Sequence, residues 1–473
     1  MEQFSIKRIL VTVGIIVILV FMIGLTYIHF NFEKEEEKEL VDLNKYVNVV
    51  FSDTSNVTFI NAKKDDNVSK SFTVKNIYNK TIYYSIILSN VTNNYDRGSF
   101  IYTLTSDTGA YIDNAYISND NYTLSSLIRL DSGKEHNYHF DIKLISENDL
   151  NKTFSSNIKV NVITADPLYD NNSLYSYIVN NKVKLFNNSE EDNENGVYYT
   201  NNSINGNTVY FFRGNNDLNN NVLLGNYCYK IIRTTEDLGV KMIYNGKFNK
   251  GVCDGTDNVL EQTAFNNNSN YNAYVGYSYG SPNSVSYQSE HENNNASNVM
   301  KNVNDFYKNN LIEFTSYILD TTYCNNRKTA SFVLDSVKYS TLGYKNYNTG
   351  YESMNRLLNN EYSYNCENIS DRLTSKITSY PIGMLTVDEA MFAGLNKNNK
   401  NEDNYLNTTT PYWTLSPAYY NGINAYNFII KDGIIGESEV NKVNGVRPVI
   451  TLRKNVNVLS GNGKVNNPYR LGV

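Results

Sequence analysis

The sequence predicts a β-rich, membrane-anchored chain with an N-terminal transmembrane helix, a β-sandwich and a larger α+β C-terminal module. Three observations lead to this prediction. A run of 20 uncharged residues lies near the N-terminus, and short segments with alternating apolar and polar residues follow it. Four cysteines, an even number, all lie downstream of that run. With 473 residues, the chain is long enough for two or three domains.

The uncharged run covers residues 9–28, which is the length a helix needs to cross a hydrocarbon core of about 30 Å. Lys7 and Arg8 precede it, and an acidic stalk, 29–44, follows it. These flanks predict a single-pass protein of the cell membrane, with residues 1–8 as a cytoplasmic tip and the bulk of the chain extracellular. A cleaved signal peptide is the alternative, but its apolar part would span only about 7–15 residues and end at an A-x-A-like site, which is missing.

Residues 45–165 contain short segments of period-two alternation, the pattern of strands with one buried face. The predicted inward-facing residues are Phe72, Val74, Ile82, Tyr84, Ile86, Leu88, Tyr138, Phe140, Ile142, Leu144, Ile158, Val160 and Val162. Because Asn, Asp and Gly separate these segments, the pattern predicts a β-sandwich. Residues 166–195 are predicted to be a linker that contains Pro167 and a short helical candidate, SLYSYIVNN. Its flexible part is expected in the acidic polar run at 187–196.

Three blocks of this first module carry a resemblance to a known family: SKSFTVKNIYNKTIYYSIILSN, LDSGKEHNYHFDIKL and TFSSNIKVNV. They resemble the immunoglobulin-like domains of Gram-positive surface proteins of the TasA/camelysin type, over roughly a quarter of the chain. The resemblance implies an immunoglobulin-like fold for residues 45–165. Since some proteins of that type assemble into matrix fibres, it also implies a structural role as one expectation.

Residues 196–473 mix strand and helix patterns, which predicts an α+β module. NYCYKIIRTTEDLGVKMIYNG predicts a hairpin that turns at Asp237–Gly239. SNVMKNVNDFYKNNL predicts a helix with Val299, Val303, Phe306 and Tyr307 on one side, and TVDEAMFAGL begins a second helix.

The cysteines Cys228, Cys253, Cys324 and Cys366 all lie in this module. An even number of cysteines in an oxidising compartment predicts disulfides. Of the three possible pairings, the nearest-neighbour one, Cys228–Cys253 with Cys324–Cys366, closes loops of moderate length. One alternative, a metal site, is disfavoured because the sequence has no C-x-x-C motif and no Cys/His cluster. The other alternative is that all four thiols are free.

A series of blocks in residues 196–473 resembles a module found on surface proteins of gut Firmicutes, the domain of unknown function DUF6273. The blocks are VYYTNN, NAYVGYSYG, YKNNLIEFTSYILDTTYCNNR, YPIGMLTVDEAMFAG, YWTLSP and NGVRPVITL with SGNGKVNNPY. The closing blocks are in turn similar to the last strands of the C-type lectin-like fold. Formylglycine-generating enzymes and the variable proteins of diversity-generating retroelements share that fold.

The lectin-like resemblance implies roles for particular residues. Trp413 is expected to be a core residue beneath ligand-facing loops, with Pro411 and Pro417 fixing where its strand enters and leaves. Arg447 is expected to be a buried guanidinium bonded to backbone carbonyls. The ligand face is expected within residues 418–443.

The expected ligand-face residues are Tyr419, Tyr420, Asn421, Asn424, Tyr426 and Asn427. Tyr and Asn offer aromatic area and adaptable hydrogen bonds, the chemistry of recognition loops. The alternative is that these residue types are simply frequent in this chain, which has 41 tyrosines.

Two groups of residues suggest catalysis or metal binding but have plainer explanations. Asp388 and Glu389 are adjacent carboxylates, but Thr386 and Glu389 have the spacing of a capping box at a helix start. His136 and His139 lie three apart on a predicted strand, so their side chains point to opposite faces. His291 is expected to be isolated in a polar loop, and the sequence contains no HExxH motif and no convincing Ser/His/Asp arrangement.

The predicted cofactors and partners follow from composition and spacing. No cofactor is expected, although oxygen-rich loops at 253–258 and 396–405 leave a structural Ca²⁺ site open; neither loop has EF-hand spacing. The WND and EPN signatures of Ca²⁺-dependent sugar-binding lectins are absent. A net charge of −6 argues against a nucleic-acid partner.

These observations predict a membrane-anchored, extracellular binding or adhesion protein without enzymatic activity. Its partners would be the membrane, through residues 9–28, and a glycan or cell-surface protein. A structural component of a cell-envelope or matrix assembly is the first alternative. A formylglycine-generating-enzyme-like oxidase is the second, although those enzymes bind copper through a cysteine pair near the C-terminus and no cysteine follows Cys366 here.

Overall fold

The N-terminal part of the structure is built from nine antiparallel strands. The computed structural model describes residues 43–96, 98–117, 122–147, 151–164, 172–189, 192, 194–204 and 206–472. The strands are β1 (Val47–Phe51), β2 (Asn56–Ile60), β3 (Asn67–Asn76), β4 (Ile82–Asn93), β5 (Phe100–Thr105), β6 (Ile112–Tyr116), β7 (Thr123–Leu130), β8 (Glu135–Leu144) and β9 (Thr153–Thr164).

These strands form two sheets, with the orders β1-β3-β8-β5-β6 and β2-β9-β4-β7. The apolar side of each strand faces the other sheet, so that Phe72 and its register partner Tyr138 stack with ring centroids 5.1 Å apart. All the inward-facing residues that the alternation predicts are buried. The prediction of a β-sandwich for this part of the chain is therefore confirmed.

The predicted transmembrane segment, residues 9–28, lies outside the described residues, as do the tip 1–8 and most of the stalk 29–44. Within the described part of the chain, none of the helices combines the length and the apolar character that a membrane crossing requires. The membrane anchor therefore stays a prediction from the sequence.

From residue 172 onward, the described residues form six α-helices and many short strands. The helices are α1 (Leu174–Val179), α2 (Tyr287–Glu290), α3 (Asn298–Asn310), α4 (Glu352–Asn359), α5 (Ser375–Thr378) and α6 (Val387–Phe392). The first strands are β10 (Val183–Leu185), β11 (Gly196–Thr200), β12 (Val209–Arg213), β13 (Asn221–Leu224), β14 (Tyr227–Thr234), β15 (Val240–Lys247), β16 (Thr263–Ala264), β17 (Ser278–Tyr279) and β18 (Asn295–Ala296).

The remaining strands complete the C-terminal sheets. They are β19 (Tyr323–Cys324), β20 (Val333–Leu334), β21 (Val337–Lys338), β22 (Thr349–Gly350), β23 (Arg372–Leu373), β24 (Ile382–Met384) and β25 (Tyr412–Tyr420). After these come β26 (Ala425–Lys431), β27 (Ile434–Glu439), β28 (Val443–Asn444), β29 (Pro448–Leu452), β30 (Val458–Ser460) and β31 (Tyr469–Leu471).

Two larger sheets organise this C-terminal region. One has ten strands: β10, β11, β12, β14, β13, β31 and β30 follow one another, and β15, β29 and β24 extend it from β14. The other has the order β22-β25-β26-β27. The hairpin β14–β15 turns at the predicted residues, where the Thr235 hydroxyl accepts a hydrogen bond from the Gly239 N–H. Helix α3 begins after Ser297, whose hydroxyl accepts from the Met300 N–H, and it buries the four predicted residues.

The predicted linker, 166–195, contains regular structure over much of its length. Helix α1 begins after Ser173, whose hydroxyl accepts from the Ser176 N–H, and its Leu174 and Ile178 are buried in the C-terminal core. Strand β10 then pairs in parallel with β11. Residues 174–185 therefore belong to the C-terminal region, because both elements bury their apolar side against it.

The sandwich and the C-terminal region are parts of one compact unit that begins at Tyr46. The Tyr83 and Tyr210 hydroxyls lie 2.7 Å apart, and the Tyr199 hydroxyl donates to Asp131 at 2.8 Å. The guanidinium of Arg129 lies 4.9 Å from the centre of the Tyr199 ring, close enough for a cation–π contact. These contacts hold the sandwich and the C-terminal region against each other. The cleft described below lies between these two regions.

Both disulfides have the predicted nearest-neighbour pairing. Cys228 pairs with Cys253 and Cys324 pairs with Cys366, with Cα–Cα distances of 5.5 and 5.7 Å. The sequence separations are 25 and 42 residues. Because all four cysteines are disulfide-bonded, the alternatives of free thiols and of a cysteine metal site are excluded for this structure.

Removing either disulfide is expected to lower the free energy of unfolding by about 3 kcal/mol, since each bond restricts the unfolded chain. The longer loop closed by Cys324–Cys366 predicts the larger loss. Urea unfolding of the Cys228→Ser/Cys253→Ser and Cys324→Ser/Cys366→Ser double variants measures both effects. An unfolding midpoint equal to that of the wild type in either variant would contradict the expectation.

Candidate functional site

The predicted ligand face lies on the hairpin formed by β25 and β26, but the structure divides its six residues. Tyr419, Tyr426, Asn421 and Asn424 are partly exposed, and the two tyrosine rings stack with centroids 4.7 Å apart. The Asn421 side-chain oxygen accepts from the N–H groups of Ile423 and Asn424, so it stabilises the turn. The exposed part of this face is therefore mainly a tyrosine pair.

Tyr420 and Asn427 do not belong to an exposed ligand face, which corrects the sequence-based expectation. Both are buried: the Tyr420 hydroxyl donates to the Asn270 carbonyl at 2.8 Å, and Asn427 Nδ2 donates to the Val275 carbonyl at 2.9 Å. The physical reason is that both faces of β25 and β26 are covered. Their side chains consequently anchor the 270–275 segment beneath the hairpin.

Trp413 and Arg447 are core residues. Trp413 is fully buried, its indole N–H donates to the Thr263 carbonyl at 2.9 Å, and its ring meets that of Phe265 edge-on. The Arg447 guanidinium donates to the carbonyls of Tyr244 and Leu406. Its burial lowers its pKa, because no carboxylate offsets the cost of desolvation.

Only one of the two prolines flanking Trp413 marks a strand end. Pro411 directly precedes β25, whereas Pro417 lies inside the strand, which continues to Tyr420. The pairing of β25 with β26 shifts register on either side of Pro417. The expectation that Pro417 marks the strand exit is therefore wrong: its missing N–H interrupts the ladder without ending the strand.

A cleft of about 580 Å³ lies between the sandwich and the C-terminal region. Such a volume lies within the range of small-ligand sites. On the sandwich side it is lined by Ser106, Asp107, Thr108, Gly109, Tyr111 and Asp113. On the C-terminal side it is lined by Leu185–Asn188, Thr200–Asn202, Lys328, Glu352, Arg356, Asn360–Ser363, Asn365, Glu367 and Phe392.

The sandwich wall of the cleft is the loop between β5 and β6, and hydrogen bonds hold it in place. The Ala110 N–H donates to the Tyr138 hydroxyl at 3.1 Å, and the Gly109 N–H donates to the Ser106 hydroxyl. A Cβ at Gly109 would overlap the Tyr138 hydroxyl, so glycine is required there. Across the junction, Asn201 Nδ2 donates to the Thr108 carbonyl at 2.8 Å. The loop is thereby fixed with Tyr111 partly exposed at the cleft.

The opposite wall follows helix α4. The helix ends at Asn360 in the left-handed conformation, which asparagine tolerates, and the chain then runs along the cleft to Glu367. The amide of Asn202 bonds to the Tyr362 carbonyl and to the Asn365 side chain. The Cys324–Cys366 disulfide ties this segment to the strand before Lys328. The wall is therefore held both covalently and by hydrogen bonds.

The floor of the cleft is aromatic. Phe186 lies 5.0 Å from Tyr362 and 5.4 Å from Phe392, measured between ring centres, and all three residues line the cleft. Phe211 packs behind Phe392 at 4.8 Å. Phe186 and Tyr362 are partly exposed, whereas Phe392 is buried beneath them. The two partly exposed rings beside polar walls provide a surface on which an amphipathic ligand such as a sugar ring can stack.

Carboxylates outnumber cations along the cleft, five to two. Both cations are held in ion pairs: Arg356 donates to Asp388 at 2.7 and 2.8 Å, and Lys328 pairs with Glu367. Burial raises the pKa of Tyr111, and the carboxylates of Asp113 and Glu367 raise it further. The potential at this ring is therefore negative.

Asp388 and Glu389 have structural roles beneath the cleft. Thr386 and Glu389 form a complete capping box at the start of α6. The Glu389 carboxylate also accepts from Arg233 at 3.0 Å and from Lys241 at 2.9 Å, and all three side chains are buried. Burial raises the pKa of Glu389, but the two cations outweigh this effect and lower it to about 2. A carboxylate held so firmly in its charged form is unsuited to moving protons.

The histidines lie apart from one another. His136 is buried against the Tyr84 hydroxyl, at 2.7 Å, while His139 lies on the exposed face of the same strand, as its position in the alternation requires. His291 is buried and stacks on Tyr287 with ring centres 3.8 Å apart. His291 directly follows helix α2, in the polar stretch where the sequence places it, and this stretch is packed inward.

In both oxygen-rich loops, a side-chain oxygen accepts hydrogen bonds within a local turn. Asp254 caps the Thr256 N–H, and Asn396 accepts from the N–H groups of Asn398 and Asn399. In the part of the chain that the structure describes, no group of three or more His, Cys, Asp or Glu side chains is arranged to hold a metal ion. The residues present therefore offer a polar cleft and a tyrosine pair as candidate sites.

Comparisons with protein-family models, with curated proteins and with solved structures find no match to this chain. The candidate site consequently rests on the geometry above.

Proposed function

We propose that this protein is a membrane-anchored surface protein that binds a glycan in the cleft between its sandwich and its C-terminal region. The single observation that carries the proposal is the cleft itself, about 580 Å³ in volume, with an aromatic floor and polar walls. Its Asn side chains can both donate and accept, which suits hydroxyl groups. Residues 9–28 would hold the protein in the membrane with the cleft outside the cell.

The proposal includes a finer assignment of the fold. The sandwich would be an immunoglobulin-like spacer of the TasA/camelysin type, and the C-terminal region a DUF6273-like module with a C-type lectin-like fold. The five- and four-stranded antiparallel sheets of the sandwich are compatible with an immunoglobulin-like spacer. The oxidase alternative loses support because all four cysteines are in disulfides, so no thiol pair remains for copper.

Tyr111→Ala is expected to weaken glycan binding at least about tenfold, because truncating an aromatic anchor in a recognition site typically costs about 2 kcal/mol or more and tenfold corresponds to about 1.4 kcal/mol. The full-length protein is first screened on arrays of microbial and host glycans and of cell-surface proteins, and affinities for each hit are then measured by calorimetry. Tyr177→Ala is the matched control, since Tyr177 is 41% exposed, against 36% for Tyr111, and lies on α1 away from the cleft.

A second variant, Tyr419→Ala/Tyr426→Ala, separates the cleft from the tyrosine pair on the β25–β26 hairpin. Retained glycan binding in this variant together with loss in Tyr111→Ala supports the cleft. Loss in the hairpin variant alone moves the site to the originally predicted face. Binding only to proteins, or silence on both arrays combined with concentration-dependent assembly, would overturn the glycan proposal and favour adhesion to protein or a structural role.

A further inference from the structure

A serine, a histidine and an aspartate meet on the exposed face of the sandwich, outside the cleft. Ser71 lies on β3 directly opposite His139 on β8, and Asp141 follows two residues later on the same face. The Ser71 hydroxyl lies 3.0 Å from His139 Nδ1, and His139 Nε2 lies 3.1 Å from an Asp141 oxygen. The sequence gives no hint of this arrangement, because 68 residues separate Ser71 from His139.

The hydrogen bonds set the tautomer of the imidazole. Asp141 accepts only, so Nε2 carries the hydrogen that it receives, and Nδ1 is left with a lone pair facing the Ser71 hydroxyl. Ser69 donates to the other Asp141 oxygen and so fixes the carboxylate. A hydroxyl, a base and a carboxylate that orients the base are the three parts of an activated serine nucleophile.

A groove of about 570 Å³ runs beside this set, and both Ser71 and His139 line it. Asn137 also lines the groove, and its Oδ1 accepts from the Thr73 hydroxyl at 2.7 Å. Its amide N–H groups are then the donors that can meet a developing oxyanion. The walls combine serine, threonine and asparagine side chains with the apolar residues Val50, Phe51 and Phe72. This mixture suits a short acyl group on a polar alcohol.

We propose that Ser71, His139 and Asp141 form a serine esterase site for short-chain carboxylic esters. In the first step Ser71 Oγ attacks the ester carbonyl carbon as His139 Nδ1 takes the hydroxyl proton. The C–O bond to the alcohol then breaks, and His139 gives that proton to the departing oxygen. Acyl-Ser71 and the free alcohol result.

Water completes the cycle. It gives a proton to His139 and attacks the acyl carbon, and His139 returns the proton to Ser71 as the carboxylic acid leaves. The His139 and Asp141 side chains are 52% and 36% exposed, so substrate can reach them. Solvent also screens the electrostatic interaction between the imidazole and the carboxylate. The expected activity is consequently modest: general base catalysis of about 10²-fold, the lower end of its usual range.

The ester site and the proposed glycan cleft are neighbours. Ser106, Asp107 and Tyr111 line both depressions, so an acylated sugar held in the cleft could present its ester to Ser71. The esterase proposal does not depend on this, because a small free ester can reach the groove directly. Failure of glycan binding and failure of ester cleavage are therefore separate results.

The test uses the full-length protein, a fluorophosphonate probe and 4-nitrophenyl acetate. We expect the probe to label Ser71, identified by peptide mass spectrometry, and Ser71→Ala to abolish this labelling. His139→Ala is expected to lower the rate of ester cleavage about 100-fold, and Asp141→Asn at least about tenfold. Ser155→Ala is the matched control: Ser155 lies on a strand of the other sheet opposite Thr58, and its loss should leave both readouts unchanged.

The variants are expected to fold, because the side chains of Ser71, His139 and Asp141 face outward. Thermal unfolding checks that each variant is folded. If Ser71, His139 and Asp141 served only to pair two strands, their variants would shift the melting temperature slightly and leave probe and ester chemistry unchanged. Absence of labelling at Ser71 in the wild-type protein, or equal ester cleavage by wild type and Ser71→Ala, would overturn the proposal.

Discussion

Replacing Glu389 with glutamine is expected to lower the free energy of unfolding by about 3–5 kcal/mol. The variant removes the negative charge that pairs with Arg233 and Lys241, both of which stay buried. Arg233 keeps its buried ion pair with Glu236 at 3.3 Å, but Lys241 loses its ion pair with Glu389. Leaving this ammonium group buried without the pair is costly, and burial already lowers the pKa of Lys241. Urea unfolding monitored by circular dichroism at pH 7 measures the change.

Glu389→Ala separates the charge from the helix cap. Glutamine keeps an oxygen that can accept from the Thr386 N–H, as the carboxylate does at 3.0 Å, whereas alanine loses it. The alanine variant is therefore expected to be less stable than the glutamine variant by about 1 kcal/mol, the usual contribution of a cap. Glu402→Gln is the control, since its ion pair with Lys400 is exposed and its loss should be undetectable.

The pKa of Glu389 also predicts how the free energy of unfolding depends on pH. The pKa of Glu389 falls from 4.5 to about 2 on folding, so its stabilising effect is fully present above pH 4.5 and is lost as the pH falls toward 2. As the pH falls, the Glu389 carboxylate takes up a proton at a higher pH in the unfolded chain than in the folded protein. Acid therefore lowers the free energy of unfolding. Glu389→Gln should flatten this part of the stability–pH profile relative to the wild type. An unchanged profile, or wild-type stability at pH 7, would show that the buried charges are compensated elsewhere.

Local patterns in the sequence predicted the sandwich because each strand there buries one face. Because side chains alternate along a strand, Phe72, Tyr84 and Phe140 are predicted to be buried without any knowledge of which strands pair with theirs. The capping box of Thr386 and Glu389 is likewise local, because its two residues lie three positions apart. Such features depend on a few neighbouring residues, so a single sequence suffices to find them.

The candidate sites depend on packing between distant segments, which local patterns do not encode. The cleft forms where the loop around Asp107 meets the segment around Glu361. Ser71 meets His139 only through the register of β3 with β8. Tyr420 and Asn427 were misassigned for the converse reason: where a strand is covered on both faces, alternation no longer tells which polar side chains are exposed.

Replacing Trp413 with alanine is expected to lower the free energy of unfolding by about 3–5 kcal/mol, the cost of an aromatic cavity in a packed core. Trp413 is fully buried and bridges β25 to the Thr263 carbonyl and the Phe265 ring. Trp413→Phe keeps a ring but loses the N–H donor, so a smaller loss of about 1–2 kcal/mol is expected. Tyr347→Ala, at a 43% exposed tyrosine, should change stability by less than about 0.5 kcal/mol.

The chain has a single tryptophan, so its fluorescence reports on this one position. In the wild-type protein the emission should be blue-shifted and resistant to a polar quencher until the C-terminal core unfolds. Circular dichroism then follows the alanine variant, which lacks the fluorophore. If Trp413→Ala unfolded at the wild-type urea concentration, or if the quencher reached the native indole, Trp413 would not be the centre of this core. The two prolines beside it would then need a different explanation, such as a surface loop held rigid for recognition.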